Sequence, residues 1–158
     1  MSKSALEKRA HAVLSGLLTE VLKTASLRKR AGIRLPKKGK VYLSLDLEIV
    51  DAVTMKKFNR KFRGKNQPTD VLSFPAHSVF QKKGHLGDLM ICLPVLISQA
   101  QAEKHSPSQE LSILLTHGVL HLLHFDHEKG PKFAREMATW EKKLLKTPGL
   151  IARGGRRP

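Results

Sequence analysis

Residues 106–127 read SPSQELSILLTHGVLHLLHFDH, and this stretch decides how the chain folds. Ser106 and Pro107 are a typical helix start, a capping side chain followed by proline at the first helical position, and Gln109 completes a capping box. Apolar residues then occupy most positions from Glu110 to about Leu123 rather than one stripe. Because a helix that is apolar nearly all round is buried, we predict a central helix covered on most sides.

Four of the eight histidines of the chain lie between His117 and His127. His117 and His121 are one helical turn apart, so both imidazoles lie on one face and can bind one metal ion. His124 would be the third ligand if the helix continued, since it lies on the same stripe. His127 instead completes the spacing of metzincin-type sites, in which the chain turns before the last histidine. We favour His127, and His124 then occupies a turn position that usually needs glycine for its positive φ.

The residue after His117 distinguishes a zinc peptidase from other metal-dependent hydrolases. Zinc peptidases with an H-E-x-x-H motif carry a glutamate there, which acts as the general base. This chain has Gly118 at that position. Ordinary peptidase chemistry therefore lacks its proton acceptor, and a metallopeptidase is the weakest of the functions considered.

Composition limits the class of protein and of partner. The chain has 158 residues, enough for one domain with a sizeable core, and a formal net charge of +16, which favours a polyanionic partner. The single cysteine, Cys92, excludes an intramolecular disulfide and a cysteine-built zinc finger, so a metal site must use histidines or carboxylates. No run approaches the ~20 apolar residues that cross a bilayer, so we expect a soluble cytoplasmic protein.

Outward from the central helix, the pattern predicts an α+β fold in which helices pack on a small mixed sheet. Strands are expected at about 41–49, 71–74 and 88–93, and further helices at about 4–22, 52–62, 94–104 and 132–146. Residues 23–40 contain eight basic residues and no acidic one, and we interpret them as a basic connector. We expect a single domain over residues 1–150 and a basic C-terminal tail at 151–158.

Three blocks of sequence resemble the YbeY endoribonuclease family. Residues 117–127, HGVLHLLHFDH, match its signature H-G-x-L-H-L-x-G-[YF]-D-H except that His124 replaces the second glycine. Residues 59–75, NRKFRGKNQPTDVLSFP, resemble its N-x-x-[YF]-R…P-T-D-V-L-S-F-P segment, and residues 86–92, LGDLMIC, its L-G-D-I-x-I strand. The blocks occur in the family's order, and the resemblance extends from about Val41 to Leu145.

The resemblance implies a metal-dependent endoribonuclease directed at single-stranded RNA, acting in ribosomal RNA processing, chiefly at the 3′ end of the small-subunit RNA, and in ribosome quality control. It implies that His117, His121 and His127 bind one divalent metal, commonly assigned as zinc, and that Arg63 stands at the position of the family's essential arginine. The implied partners are ribosomal RNA, the small ribosomal subunit and its assembly proteins.

These residue types suit phosphodiester hydrolysis. A metal ion and a guanidinium both stabilise the extra negative charge of the transition state, and a bound metal lowers the pKa of its water. With the role that the resemblance implies for Arg63, we assign catalysis to Arg63 and to His117 as a metal ligand, and RNA contact to Lys61, Arg63 and Lys65, whose charges favour phosphates. The main alternative is a noncatalytic RNA-binding factor of ribosome assembly with a structural metal site.

Overall fold

The computed structural model describes residues 2–150 and confirms the α+β class. In chain order its elements are α1 (Lys3–Lys23), α2 (Ala25–Arg30), β1 (Ser44–Val50), α3 (Ala52–Arg63), β2 (Val71–Pro75), α4 (Ser78–Lys82), β3 (His85–Cys92), α5 (Leu93–Ala102), α6 (Pro107–Leu122), a 3₁₀ helix (His127–Lys129) and α7 (Pro131–Leu145). None of the helices in this range combines the length and apolarity of a membrane-spanning segment. The predicted basic tail, 151–158, lies outside the described residues.

The sheet is small and mixed, as predicted. Its central strand β3 pairs in parallel with β1 and antiparallel with β2. Successive residues of β3 point to opposite faces, so Leu89 and Ile91 join the main apolar cluster while Met90 and Cys92 join a second, smaller one. The main cluster lies under α1, α5, α6 and α7, and the smaller one under α3, so helices cover both faces of the sheet.

Helix α6 is the central helix that the sequence predicted. It begins at Pro107, and the Ser106 hydroxyl accepts a hydrogen bond from the backbone N–H of Gln109 at 3.2 Å. The helix contacts α1, α5 and α7 as well as strands β2 and β3. Its apolar side chains are accordingly buried on several sides, including those of Leu111, Leu115, Val119, Leu120 and Leu122, which are fully buried. The prediction of a helix covered on most sides is confirmed.

Gly118 lets α6 approach the sheet closely. A Cβ atom at this position would lie 2.8 Å from Cδ2 of Leu89 and 3.4 Å from Cγ2 of Val71, both buried in the core. Position 118 therefore faces the sheet and has no room for a long side chain. A general-base glutamate after the first histidine is excluded by packing as well as by sequence.

The structure departs from the predicted basic connector. Residues 23–40 include the short helix α2, and the side chains of Leu27, Ala31 and Ile33 are buried in the main core. A second short helix, α4, also had no counterpart in the predictions. Helices of five or six residues are too short for a helical period to show in the sequence, and tertiary contacts supply their stability.

We expect Gly118→Ala to lower the free energy of unfolding by about 1–2 kcal/mol. The added methyl overpacks the core by about 1–3 kcal/mol, while replacing a helical glycine with alanine offsets up to about 1 kcal/mol. Urea denaturation followed by circular dichroism measures the change.

A double-mutant cycle identifies the cause. Leu89→Val removes both Cδ atoms that crowd position 118, so Gly118→Ala should be neutral or stabilising in that background. An equal loss of stability in both backgrounds would contradict the close contact between α6 and β3.

Candidate metal centre

The last two turns of α6 direct His117 and His121 at the same point. Their Nε2 atoms are 3.0 Å apart, and both side chains are half-buried. Two nitrogens bound tetrahedrally to one zinc ion, each at the usual distance, are about 3.3 Å apart. The spacing of this pair therefore fits a single ion.

His127 approaches the pair from the turn that follows α6. Its ring centroid lies 5.3 Å from that of His117 and 5.2 Å from that of His121. One ligand nitrogen from each of the three side chains lies within 4.8 Å of the other two. The competing candidate, His124, is engaged elsewhere, because its Nε2 is bonded to Oε1 of Gln81 at 2.7 Å. The arrangement favours His127 over His124 as the third ligand.

The turn between His121 and His127 is a Schellman motif. His124 has φ 65°, its N–H donates to the carbonyl of His121 at 2.9 Å, and the N–H of Phe125 donates to the carbonyl of Leu120 at 3.0 Å. His124 thus holds the left-handed conformation expected from its place in the motif. Asp126 then caps the 3₁₀ helix by accepting from the N–H of Glu128 at 3.0 Å, so its carboxylate braces the turn.

Glu141 is a site residue that the sequence predictions missed. Its Oε1 lies 2.6 Å from Nδ1 of His117, and the contact joins α7 to α6. When Nδ1–H donates to the carboxylate, Nε2 carries the lone pair, which points to the place where the Nε2 atoms of His117 and His121 converge. A signal was present in the sequence: Glu141 lies on the stripe of α7 that contains the buried Met137 and Leu144, where an apolar residue is expected.

Burial is the main cause of a low pKa at His121, with smaller contributions from the nearby imidazoles of His117 and His127. Together these effects lower its pKa to about 4. The ring is therefore neutral at pH 7. Neutral imidazole is the form that binds a metal ion, so the donor set of three imidazole nitrogens fits a divalent cation such as zinc.

Arg63 shares a cavity of about 740 Å³ with the three histidines. It is the last residue of α3, and Gly64 ends the helix in a left-handed conformation. The guanidinium pairs with Oε1 of Glu128 at 3.2 Å, and the two side chains are 43% and 59% exposed. Because exposed ion pairs contribute little stability, an anion in the cavity can displace Glu128 from Arg63.

The two lysines predicted to contact RNA lie on the exposed surface rather than in this cavity. Lys61 is on α3, with its ammonium 5.2 Å from the centre of the Phe62 ring, and Lys65 follows the end of the helix. Neither is among the residues that line the cavity. The structure therefore brings together His117, His121, His127 and Arg63, and leaves Lys61 and Lys65 outside.

Comparison with known proteins points to one family. A family model described as endoribonuclease YbeY matches residues 2–149. The chain is 38% identical over 125 residues to endoribonuclease YbeY of Anaeromyxobacter sp. (strain Fw109-5). This alignment covers 79% of this chain and 65% of the relative. The chain is 45% identical over 101 residues to endoribonuclease YbeY of Chloroflexus aurantiacus, and this alignment covers 60% of this chain and 66% of the relative. With the protein of Aquifex aeolicus the identity is 32% over 142 residues, 90% of this chain and 95% of the relative.

The match thus spans slightly less than two thirds of the length of the first two relatives and nearly all of the third. Among solved structures, the solution structure of TM1509 from Thermotoga maritima is similar, with a TM-score of 0.56 and 24% identity. That similarity covers 99% of this chain and 95% of the other. It supports the fold.

We expect Glu141→Ala to weaken zinc binding by about 10- to 100-fold, because His117 loses the carboxylate that orients its ring. Glu141→Gln keeps an acceptor oxygen but loses the charge, so its effect should be smaller. Competition with a chromophoric chelator measures both affinities. Lys142→Ala, an exposed neighbour on α7, is the control and should bind zinc as the wild type does. Unchanged affinity in Glu141→Ala would show that the contact has no part in metal binding.

Proposed function

The chain belongs to the YbeY endoribonuclease family, and we propose that it is a metal-dependent endoribonuclease that hydrolyses single-stranded segments of ribosomal RNA. One observation carries the proposal: three imidazole nitrogens and one guanidinium meet in a single open cavity. This set combines a cation site with an anion-binding side chain, as phosphodiester hydrolysis requires.

His117, His121 and His127 would hold the metal. Zinc is the proposed ion, since three imidazole nitrogens suit it, and the same donor set binds other first-row metals. When bound, a divalent metal would supply Lewis-acid chemistry, polarising a phosphoryl oxygen and lowering the pKa of a water. His117 contributes to catalysis as a ligand, and Glu141 holds its ring in the required tautomer.

Arg63 would bind the phosphate that is cleaved. Its planar guanidinium can donate two hydrogen bonds to non-bridging oxygens, and this interaction strengthens as negative charge builds up in the transition state. The exposed pair with Glu128 holds the side chain over the cavity until the RNA phosphate replaces the carboxylate.

The charge of the chain supports an RNA substrate. Lys61 and Lys65 flank Arg63 in a basic run, and we propose that they contact phosphates on either side of the cleaved bond without reading sequence. The family assignment supports ribosomal RNA as the target, at the 3′ end of the small-subunit RNA. The same proposal includes the cytoplasm as location and the small ribosomal subunit with its assembly proteins as partners.

The number of protein ligands argues against a purely structural metal. Structural zinc sites are closed by four protein ligands, whereas catalytic sites have three and an open position. In the described part of the chain, three histidines form the group, and it opens onto the cavity. An RNA-binding assembly factor without catalysis is therefore the second candidate.

Comparing the wild type with His117→Ala and Arg63→Ala distinguishes an endoribonuclease from a noncatalytic RNA-binding factor. We expect wild type to contain one divalent metal and to cleave a labelled single-stranded RNA in a chelator-sensitive way. His117→Ala should lose metal and cleavage. Arg63→Ala should keep its metal and cleave about 10²- to 10³-fold more slowly, because a donor to the transition state is lost. Elemental analysis and a gel-based cleavage assay provide the readouts.

Arg60→Ala is the matched control for Arg63→Ala, since Arg60 is an exposed arginine on the same helix that does not line the cavity. It should cleave at nearly the wild-type rate. Equal cleavage by all variants would reveal a contaminating nuclease. A metal-loaded wild type that binds RNA without cleaving it would establish the assembly-factor alternative instead.

Removing the charge of Lys61 or of Lys65 should reduce the salt dependence of RNA binding. Each phosphate contact with single-stranded nucleic acid contributes about 0.7 to the slope of log K against log salt concentration. Lys61→Ala and Lys65→Ala should each lower the slope by about this amount, measured by fluorescence anisotropy on an uncleaved RNA with chelator present. Lys8→Ala, an exposed lysine on α1, provides the comparison. Slopes equal to the wild type would remove both lysines from the RNA interface.

A further inference from the structure

The third metal ligand depends on a turn that this chain makes in an unusual way. His117 and His121 share the rigid frame of α6, but His127 lies beyond the Schellman motif, so the exit direction of the turn sets its position. The left-handed residue of the turn is His124, with φ 65°. A side chain with a Cβ atom is sterically disfavoured in that conformation, so contacts elsewhere must hold it there.

Gln81 of α4 provides such a contact. Its side chain is buried, with 3% exposure, and its amide nitrogen donates to the carbonyls of Leu86 and Leu122, each at 3.2 Å. Both amide hydrogens are thereby used, which fixes the orientation of the amide and leaves Oε1 as an acceptor. Oε1 faces Nε2 of His124 at 2.7 Å, so the imidazole must donate to it. Gln81 thus binds both the last residue of α6 and the side chain of the turn.

Arg30 of α2 supports the turn as well. Its guanidinium lies over the ring of Phe125, 3.8 Å from the ring centroid, and donates to the carbonyl of His124 at 3.3 Å. It also pairs with Glu136 of α7 at 3.0 Å. The turn is therefore attached through side chains to α2 and α4, and Arg30 links α2 to α7.

We propose that the hydrogen bond between His124 and Gln81 positions the third metal ligand. The bond holds residue 124 in the left-handed conformation, which a glycine at this position would adopt without a side-chain contact. His124 and Gln81 are positioning residues: they hold the turn whose exit places His127 beside His117 and His121. Breaking the bond releases His124 from the left-handed conformation and displaces His127, while the two ligands on α6 remain in place. This inference rests on the metal centre of the proposed function.

Zinc affinity and the spectrum of the cobalt-substituted protein test the proposal. His124→Ala removes the imidazole and keeps the Cβ atom that disfavours the left-handed conformation, and Gln81→Leu removes the acceptor. Each variant should bind zinc on the order of tenfold more weakly and show altered visible cobalt bands, because the ligand geometry changes. The double variant should be no weaker than either single one, since both remove the same bond.

His77→Asn is the matched control, because His77 is an exposed histidine at the N-terminus of α4 and asparagine caps a helix equally well. It should bind zinc with wild-type affinity. Should Gln81→Leu fail to fold, as judged by circular dichroism, His124→Ala decides alone, since the side chain of His124 is outside the core. Wild-type zinc affinity and cobalt spectrum in His124→Ala, or additive losses in the double variant, would overturn the proposal. Absence of zinc binding by the wild type would instead overturn the metal centre and this inference with it.

Discussion

The close contact between α6 and the sheet at Gly118 is the constraint on which the site depends. Successive helix residues are separated by 100° around the axis, so a helix that buries position 118 against Leu89 has no freedom to rotate. His117 and His121, one turn apart, then necessarily face the cavity. A buried glycine with no functional group thus determines the direction of two histidine side chains of the candidate metal centre.

Rigidity is distributed unequally among the three histidines of the candidate metal centre. Two of them stand on a helix fully embedded in the core, whereas the third follows a turn and precedes a single 3₁₀ turn. That turn is attached to elements distant in sequence, through Arg30 on one side and Gln81 on the other. The short helices α2 and α4 therefore matter to the site although neither contributes a ligand.

The charge distribution around the site differs from that of the chain as a whole. The chain carries 29 basic and 13 acidic residues, yet Asp126, Glu128 and Glu141 all lie at or next to the histidines. Under the proposed function each carboxylate holds another part of the site. Glu141 orients the ring of His117, Asp126 braces the turn, and Glu128 pairs with the guanidinium of Arg63. The exposed lysines outside the cavity remain available for phosphates.

The sequence by itself determined the class of the fold, the buried central helix, the histidine spacing and the absence of a peptidase base. These features are local: a helical period, a capping pattern and the placement of residues along one helix are readable from neighbouring positions. The choice between His127 and His124 stayed open in the sequence, because the helix could have continued past Leu123. Only the tertiary structure brings His127 beside His117 and His121, and only it shows the contacts of Glu141, Gln81 and Arg30 around them. The contacts of Glu141, Gln81 and Arg30 join residues that are 24, 43 and 94 positions apart in the chain, and contacts over such separations arise from packing, which no local pattern encodes.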